Sequence, residues 1–212
     1  MKTYAIVLAT LLTAGTSLVG QGIAPPIAEY RGESASGMFE IQNTTNDPMA
    51  VILSTMNFTV DEQGRVQYSP LASTTKIKMG ASSFVLQPHD GRMIFYKASF
   101  PASPTSFSII ATLTKVEAVE SGMRLSFVFP HMVYVYQKEK FDKNDIRIEL
   151  ANGTLQIHNL SNKLGRVESV QANVGEVMGG FPIYPGQTRQ VLITGATRAT
   201  VKFEDGFKVA TP

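Results

Sequence analysis

The chain contains no cysteine. That excludes disulfides, a lipidated N-terminal thiol, thiolate metal sites and thiol catalysis, and leaves the redox compartment open. Charge of one sign is missing too. The 19 Lys plus Arg stand against 17 Asp plus Glu, a formal net charge of +2 with no long single-sign run, which argues against nucleic acid as a partner. The three histidines, His89, His131 and His158, lie in separate segments, without the spacings that converge ring nitrogens on a metal. No G-x-S-x-G, phosphate-binding loop or dinucleotide fingerprint occurs. Asp61 and Asp90 stand in turn sequences, where an Asx hydrogen bond accounts for each. No catalytic residue, metal or cofactor is therefore expected, and the protein is expected not to be an enzyme. After the first residues, no apolar stretch reaches the about 20 residues that span a bilayer.

What is present begins with Met1-Lys2, an apolar run from Tyr4 to Leu12, and a small, weakly polar stretch ending at Gly22. This pattern reads as a secretory signal over residues 1–22 and predicts export. Beyond it there is no sustained 3.6-residue periodicity. Short alternating apolar and polar bursts recur between Gly, Pro, Asn and Asp clusters, the signature of strands in an all-β sandwich. Asn43 to Pro48, Asp61-Glu62-Gln63-Gly64 and Pro88-His89-Asp90-Gly91 read as turns.

About seven strands are expected between residues 25 and 137, so 23–137 forms a first immunoglobulin-like domain. The charged stretch at 138–145 reads as a solvated linker. A second, short β-sandwich domain then fills 146–212. With 43% hydrophobic composition in 212 residues, two small cores are within reach. Asn-x-Ser/Thr triplets at Asn43, Asn57, Asn152 and Asn159 arise often by chance in β-proteins of this composition and carry little weight.

The most informative run is Arg124 to Tyr136. Leu125, Phe127 and Phe129 share one face at period 2, and the pattern slips at Pro130-His131 before Met132, Tyr134 and Tyr136 take up another row. Proline cannot donate to a ladder, so Pro130 points to a sheet edge or a bulge. Two readings stay open: a core strand covered on both faces, or an apolar edge that a partner chain pairs with. A long exposed edge also invites self-association.

The order of these motifs resembles the PapD-type periplasmic pilus-assembly chaperones. The similarity runs through Phe39 to Asn43 with Pro48, Phe58 to Gly64, Ser83 to Pro88, Phe100-Pro101, Pro130 to Tyr136 and Phe181 to Arg189. It implies a periplasmic chaperone that caps pilus-like or other secreted subunits by donating a strand, with an outer-membrane usher as a further partner. On that resemblance Leu125, Phe127, Phe129, Met132 and Tyr134 are the partner-binding side chains. The family's clamp for a terminal carboxylate pairs an Arg with a Lys, but Ile27 and Tyr134 stand at those places here. The anchor is then absent or displaced to Arg31, Lys97 or Lys138, and Phe95 replaces a further basic residue, which marks a divergent branch. The competing function is a structural or adhesive immunoglobulin-like surface module. Pro25-Pro26 near the mature start counts mildly against a subunit that exchanges its own N-terminal strand.

Overall fold

The computed structural model describes residues 22–116 and 125–211. Most of the expected signal, the polar loop after Val116 and Arg124 lie outside that range. Gly22, the last residue of the expected signal, opens the first strand.

The first ten strands are β1 Gly22–Ala24, β2 Ile27–Arg31, β3 Ser34–Gln42, β4 Met49–Val60, β5 Val66–Pro70, β6 Lys76–Met79, β7 Ser83–Leu86, β8 Gly91–Ser99, β9 Thr105–Lys115 and β10 Ser126–Tyr136. They form two sheets. The first runs β1-β3-β8-β6, and the second runs β2-β10-β9-β4-β5 with β7 also pairing β4. Alternation puts every second side chain between the sheets. Phe39 and Ile41 on β3, and Phe107, Ile109, Ala111 and Leu113 on β9, are fully buried there. Pro25-Pro26 breaks the N-terminal strand in two: β1 pairs antiparallel with β3 in one sheet, and β2 pairs parallel with β10 in the other.

The remaining strands are β11 Ile146–Ala151, β12 Thr154–Asn159, β13 Gly165–Ala172, β14 Gly175–Ile183, β15 Thr188–Leu192, β16 Ala199–Phe203 and β17 Lys208–Ala210. They make a second sandwich, β11-β12-β15 against β14-β13-β16-β17, around a separate core that includes Ile157, Val167 and Phe203. The architecture is two immunoglobulin-like β-sandwich domains, as the strand pattern predicts.

Three expectations change. Among the described residues nine strands, β2 to β10, lie between residues 25 and 137 rather than about seven, because β2, β6 and β7 are too short to show a period. The connecting segment is not uniformly solvated. Phe141 is buried in the second core, and buried Gln137 accepts from the Leu164 N–H at 2.9 Å and donates to its carbonyl at 3.2 Å. Its charged neighbours disguise these two anchors. Finally, the β9–β10 ladder passes Pro130 without a slip, from Ser126 opposite Thr114 to Val135 opposite Thr105. The apolar row changes there for a different reason. His131, Val133 and Val135 stay in the core, while Tyr134 and Tyr136 on the other face join Phe58, Val60 and Leu164 in a cluster between the domains.

Candidate partner-binding edge

One side of β10 is paired with β9 throughout, but the other is covered only in part. β2 lies along Met132 to Tyr136, beginning where the Met132 N–H donates to the Pro26 carbonyl at 2.8 Å. Backbone groups on a strand alternate sides, so Ser126 and Val128 direct their N–H and C=O toward the same edge as Met132. Among the described residues no strand pairs with them there. Pro130 falls on that row as well, where its missing N–H costs no ladder bond.

Side chains divide the same stretch differently. Phe127 and Phe129 continue the inward row, half-buried against the first core, with ring centroids 6.4 Å apart and planes 11° from parallel. Leu125, just ahead of the strand, is 63% exposed. Val128 points outward and is 60% exposed. The open stretch therefore offers backbone hydrogen-bonding groups and a partly uncovered aromatic pair together.

Met132 and Tyr134 sit elsewhere. Tyr134 is buried, its ring edge-on to Phe58 at 5.1 Å, and burial pushes its hydroxyl pKa up to about 12. Met132 packs half-buried against the same interdomain cluster. The five partner candidates thus split into Leu125, Phe127 and Phe129 at the open edge and Met132 and Tyr134 at the domain junction.

His131 closes the open stretch. It is fully buried, stacked on Phe39 at 4.6 Å. Its Nδ1 lies 2.7 Å from the Pro25 carbonyl and its Nε2 3.1 Å from the Tyr96 hydroxyl. A carbonyl only accepts, so Nδ1 carries the hydrogen and Nε2 accepts from Tyr96. Burial holds the His131 pKa below its ordinary value.

The expected carboxylate anchors are not brought together. Arg31 is 3.0 Å from Asp205 and lies over the Tyr136 ring. Lys138 reaches only to 4.0 Å from Glu33. Lys97 stands on the first sheet, directly opposite Lys78. Ile27, at a clamp position, pairs with Met132 and is 48% exposed.

Two second-domain arginines dominate the junction instead. Arg166 Nη1 is 2.5 Å from Glu29, which also accepts from the Tyr136 hydroxyl at 3.1 Å. Arg189, buried over the Phe181 ring, donates to the Asp61 carbonyl at 2.5 Å. Beside it the Gln187 side chain donates to the Val60 carbonyl, and the Gln190 N–H to the Glu62 carbonyl at 3.1 Å. The turn after β4 is thereby gripped by β15. Sequence reading missed both arginines, since nothing in a strand pattern distinguishes an arginine that crosses a domain junction from a solvated one.

No protein-family model and no curated protein matches this sequence. Solved structures do share the fold. A Salmonella enterica structure of the SafA pilin in complex with the SafB chaperone matches over 89% of this chain and 93% of that one, at a TM-score of 0.59 and 12% identity. The E. coli chaperone DraB matches at 0.57 and 14% identity, over 89% and 93% of the two chains. The class 5 fimbriae chaperone CfaA matches at 0.58 and 10% identity, over 90% and 98%. The two-domain arrangement of pilus-assembly chaperones is therefore the fold of this chain along nearly its whole described length.

Proposed function

We propose that this protein is a periplasmic chaperone that captures pilus-like or other secreted surface subunits by lending them the open half of β10. The observation that carries the reading is the edge from Ser126 to Pro130. A subunit lacking one strand exposes an apolar groove and unpaired backbone, both of which lead to aggregation. The same stretch of β10 answers both needs, with Ser126 and Val128 supplying ladder groups and Phe127 and Phe129 supplying side chains for the groove. Complete burial of an aromatic chain is worth about 1.5–3 kcal/mol. Both rings start half-buried, so the pair contributes toward the lower end of that range each, and backbone pairing must add to it before association entropy is offset.

Support comes also from the shared fold, since two of the similar structures hold a chaperone with a pilin or tip subunit. The carboxylate clamp of the better-known chaperones is not part of this proposal. Arg31 is held by Asp205, and no basic residue stands at Ile27 or Tyr134.

The test is affinity recovery of the tagged protein from the periplasm of cells that produce it, followed by mass spectrometry. A stoichiometric β-rich secreted polypeptide that disappears with Phe127→Asp is the expected result. Recovery of this chain alone, assembled at the cell surface, would favour a structural module.

A further inference from the structure

Among the described residues, the outer face of the second sheet carries no charged side chain from the domain junction to the far end of the open edge. Outward positions of β4 from Ala50 to Met56, of β9 from Ile110 to Thr114 and of β10 from Ser126 to Met132 hold only aliphatic, hydroxyl, methionine and proline side chains. Ile52 and Val128, each 60% exposed, stand in one cross-strand row on either side of Thr112. Val85, 51% exposed, extends the patch onto β7 beside Ala50. A depression of about 300 Å³ opens there between Ile52, Thr114 and Val116. The lysine at its rim, Lys115, is bound to Asp47 at 2.9 Å.

This is not how the domain treats its surface in general. On the outer face of the first sheet, Met38 and Phe95 stand beside Lys78 and Lys97. A wet sheet face normally alternates toward polar and charged side chains. Loss of charge marks the buried centre of an interface, and contiguous exposed apolar surface marks a binding site.

The geometry points to a second contact surface for the client. The polypeptide that pairs with the open edge of β10 also lays an uncharged, largely apolar surface over Ile52, Val85 and Val128. The inference rests on the chaperone reading above and assigns that client a second footprint, two strands away from the edge. Continuity fixes the occupant. Val128 belongs to both regions, its backbone facing the open edge and its side chain the uncharged face, so a chain added at the edge lies against the face as well.

The experiment replaces Ile52 with photoreactive p-benzoylphenylalanine in the full chain and irradiates cells that produce it. The polypeptide cross-linked at position 52 is expected to be the one that co-purifies through the edge and is lost with Phe127→Asp. Ile52→Glu is expected to reduce its recovery at least tenfold with an unchanged thermal midpoint. A cross-link to a second copy of this chain, to a different polypeptide, or to nothing overturns the inference. So does full recovery with Ile52→Glu. If recovery still depends on Phe127 in those cases, the edge reading stands and only the second footprint falls. Recovery indifferent to Phe127→Asp removes both.

Discussion

Asn43 and Asn159 make the same hydrogen bonds at equivalent corners of the two domains. The Asn43 side-chain amide donates to the carbonyls of Asp47, Leu86 and Gln87, and its oxygen accepts from the N–H and hydroxyl of Thr45. Asn159 donates to the carbonyls of Lys163, Ile183 and Tyr184 and accepts from the N–H and hydroxyl of Ser161. Both residues are buried, and each ties a polar turn to a strand end. The Asn-x-Ser/Thr triplets at these two places are thus structural, with the third residue's hydroxyl bonded inward.

Asn43→Ala leaves three carbonyls without that donor and empties part of a buried corner. A loss of about 2–3 kcal/mol is expected, since each buried polar group left unsatisfied costs about 1–3 kcal/mol and turn relaxation recovers some of it. Chemical denaturation of the purified protein measures it. A loss under 0.5 kcal/mol, on the order of an ordinary surface substitution, would show that water replaces the amide.

Acid should destabilise the first domain through His131. The ring is neutral in the fold, held between the Pro25 carbonyl and Tyr96 with no carboxylate bonded to it. Its folded pKa lies below the ordinary value near 6.5, so the unfolded chain takes up the proton more readily. Stability present at neutral pH is lost as pH falls below about 6.5, with a slope from this group of at most about 1.4 kcal/mol per pH unit. Denaturation midpoints across pH 5–8 in the native chain and in His131→Gln test this. The acid-side slope should shrink in the variant, and an identical slope would assign it to other groups.

Tyr134 and Phe127, grouped together by the sequence pattern, should part in their behaviour. Tyr134→Ala opens a cavity between the domains and is expected to cost about 3–5 kcal/mol. Phe127→Asp, on the half-buried open stretch, is expected to leave a folded protein with a smaller loss. Thermal melts of both variants decide the point. An unfolded Phe127→Asp would instead mark β10 as a core strand over its whole length.

Gly165 leaves room for a ring. A Cβ there would come within 2.6 Å of the Phe141 ring, which is buried in the second core. Gly165→Ala should destabilise by about 1–3 kcal/mol, the usual cost of overpacking, seen as a lowered denaturation midpoint. An unchanged midpoint would mean that Phe141 repacks freely.

Strand existence was legible where alternation ran for many residues, as in β9 and β10, and in the β4–β5 hairpin around Asp61 to Gly64. It was hidden in β14, where the Gly179-Gly180 pair and Pro182 look like turn material. As the outermost strand of its sheet, β14 can place Pro182 where no ladder donor is needed. Pro130 stands on the row of β10 that no described strand pairs, one of the two readings, edge or bulge, that the sequence offered, and on the same strand the aromatic pair Phe127 and Phe129 could be read from period 2. The fate of Met132 and Tyr134 could not, because a strand that changes its covering from open edge to domain junction keeps the same apolar alternation. The pairing of β2 along Met132 to Tyr136 and the position of the second domain separate the two halves.

The most direct test of strand donation is amide hydrogen exchange at Val128 in the free protein and in the complex with the polypeptide that co-purifies with it. The account predicts fast exchange in the free protein and strong protection in the complex, with the amides of β9 protected in both. Exchange at Val128 that stays equally fast in the complex, or is already slow in the free protein, would contradict it.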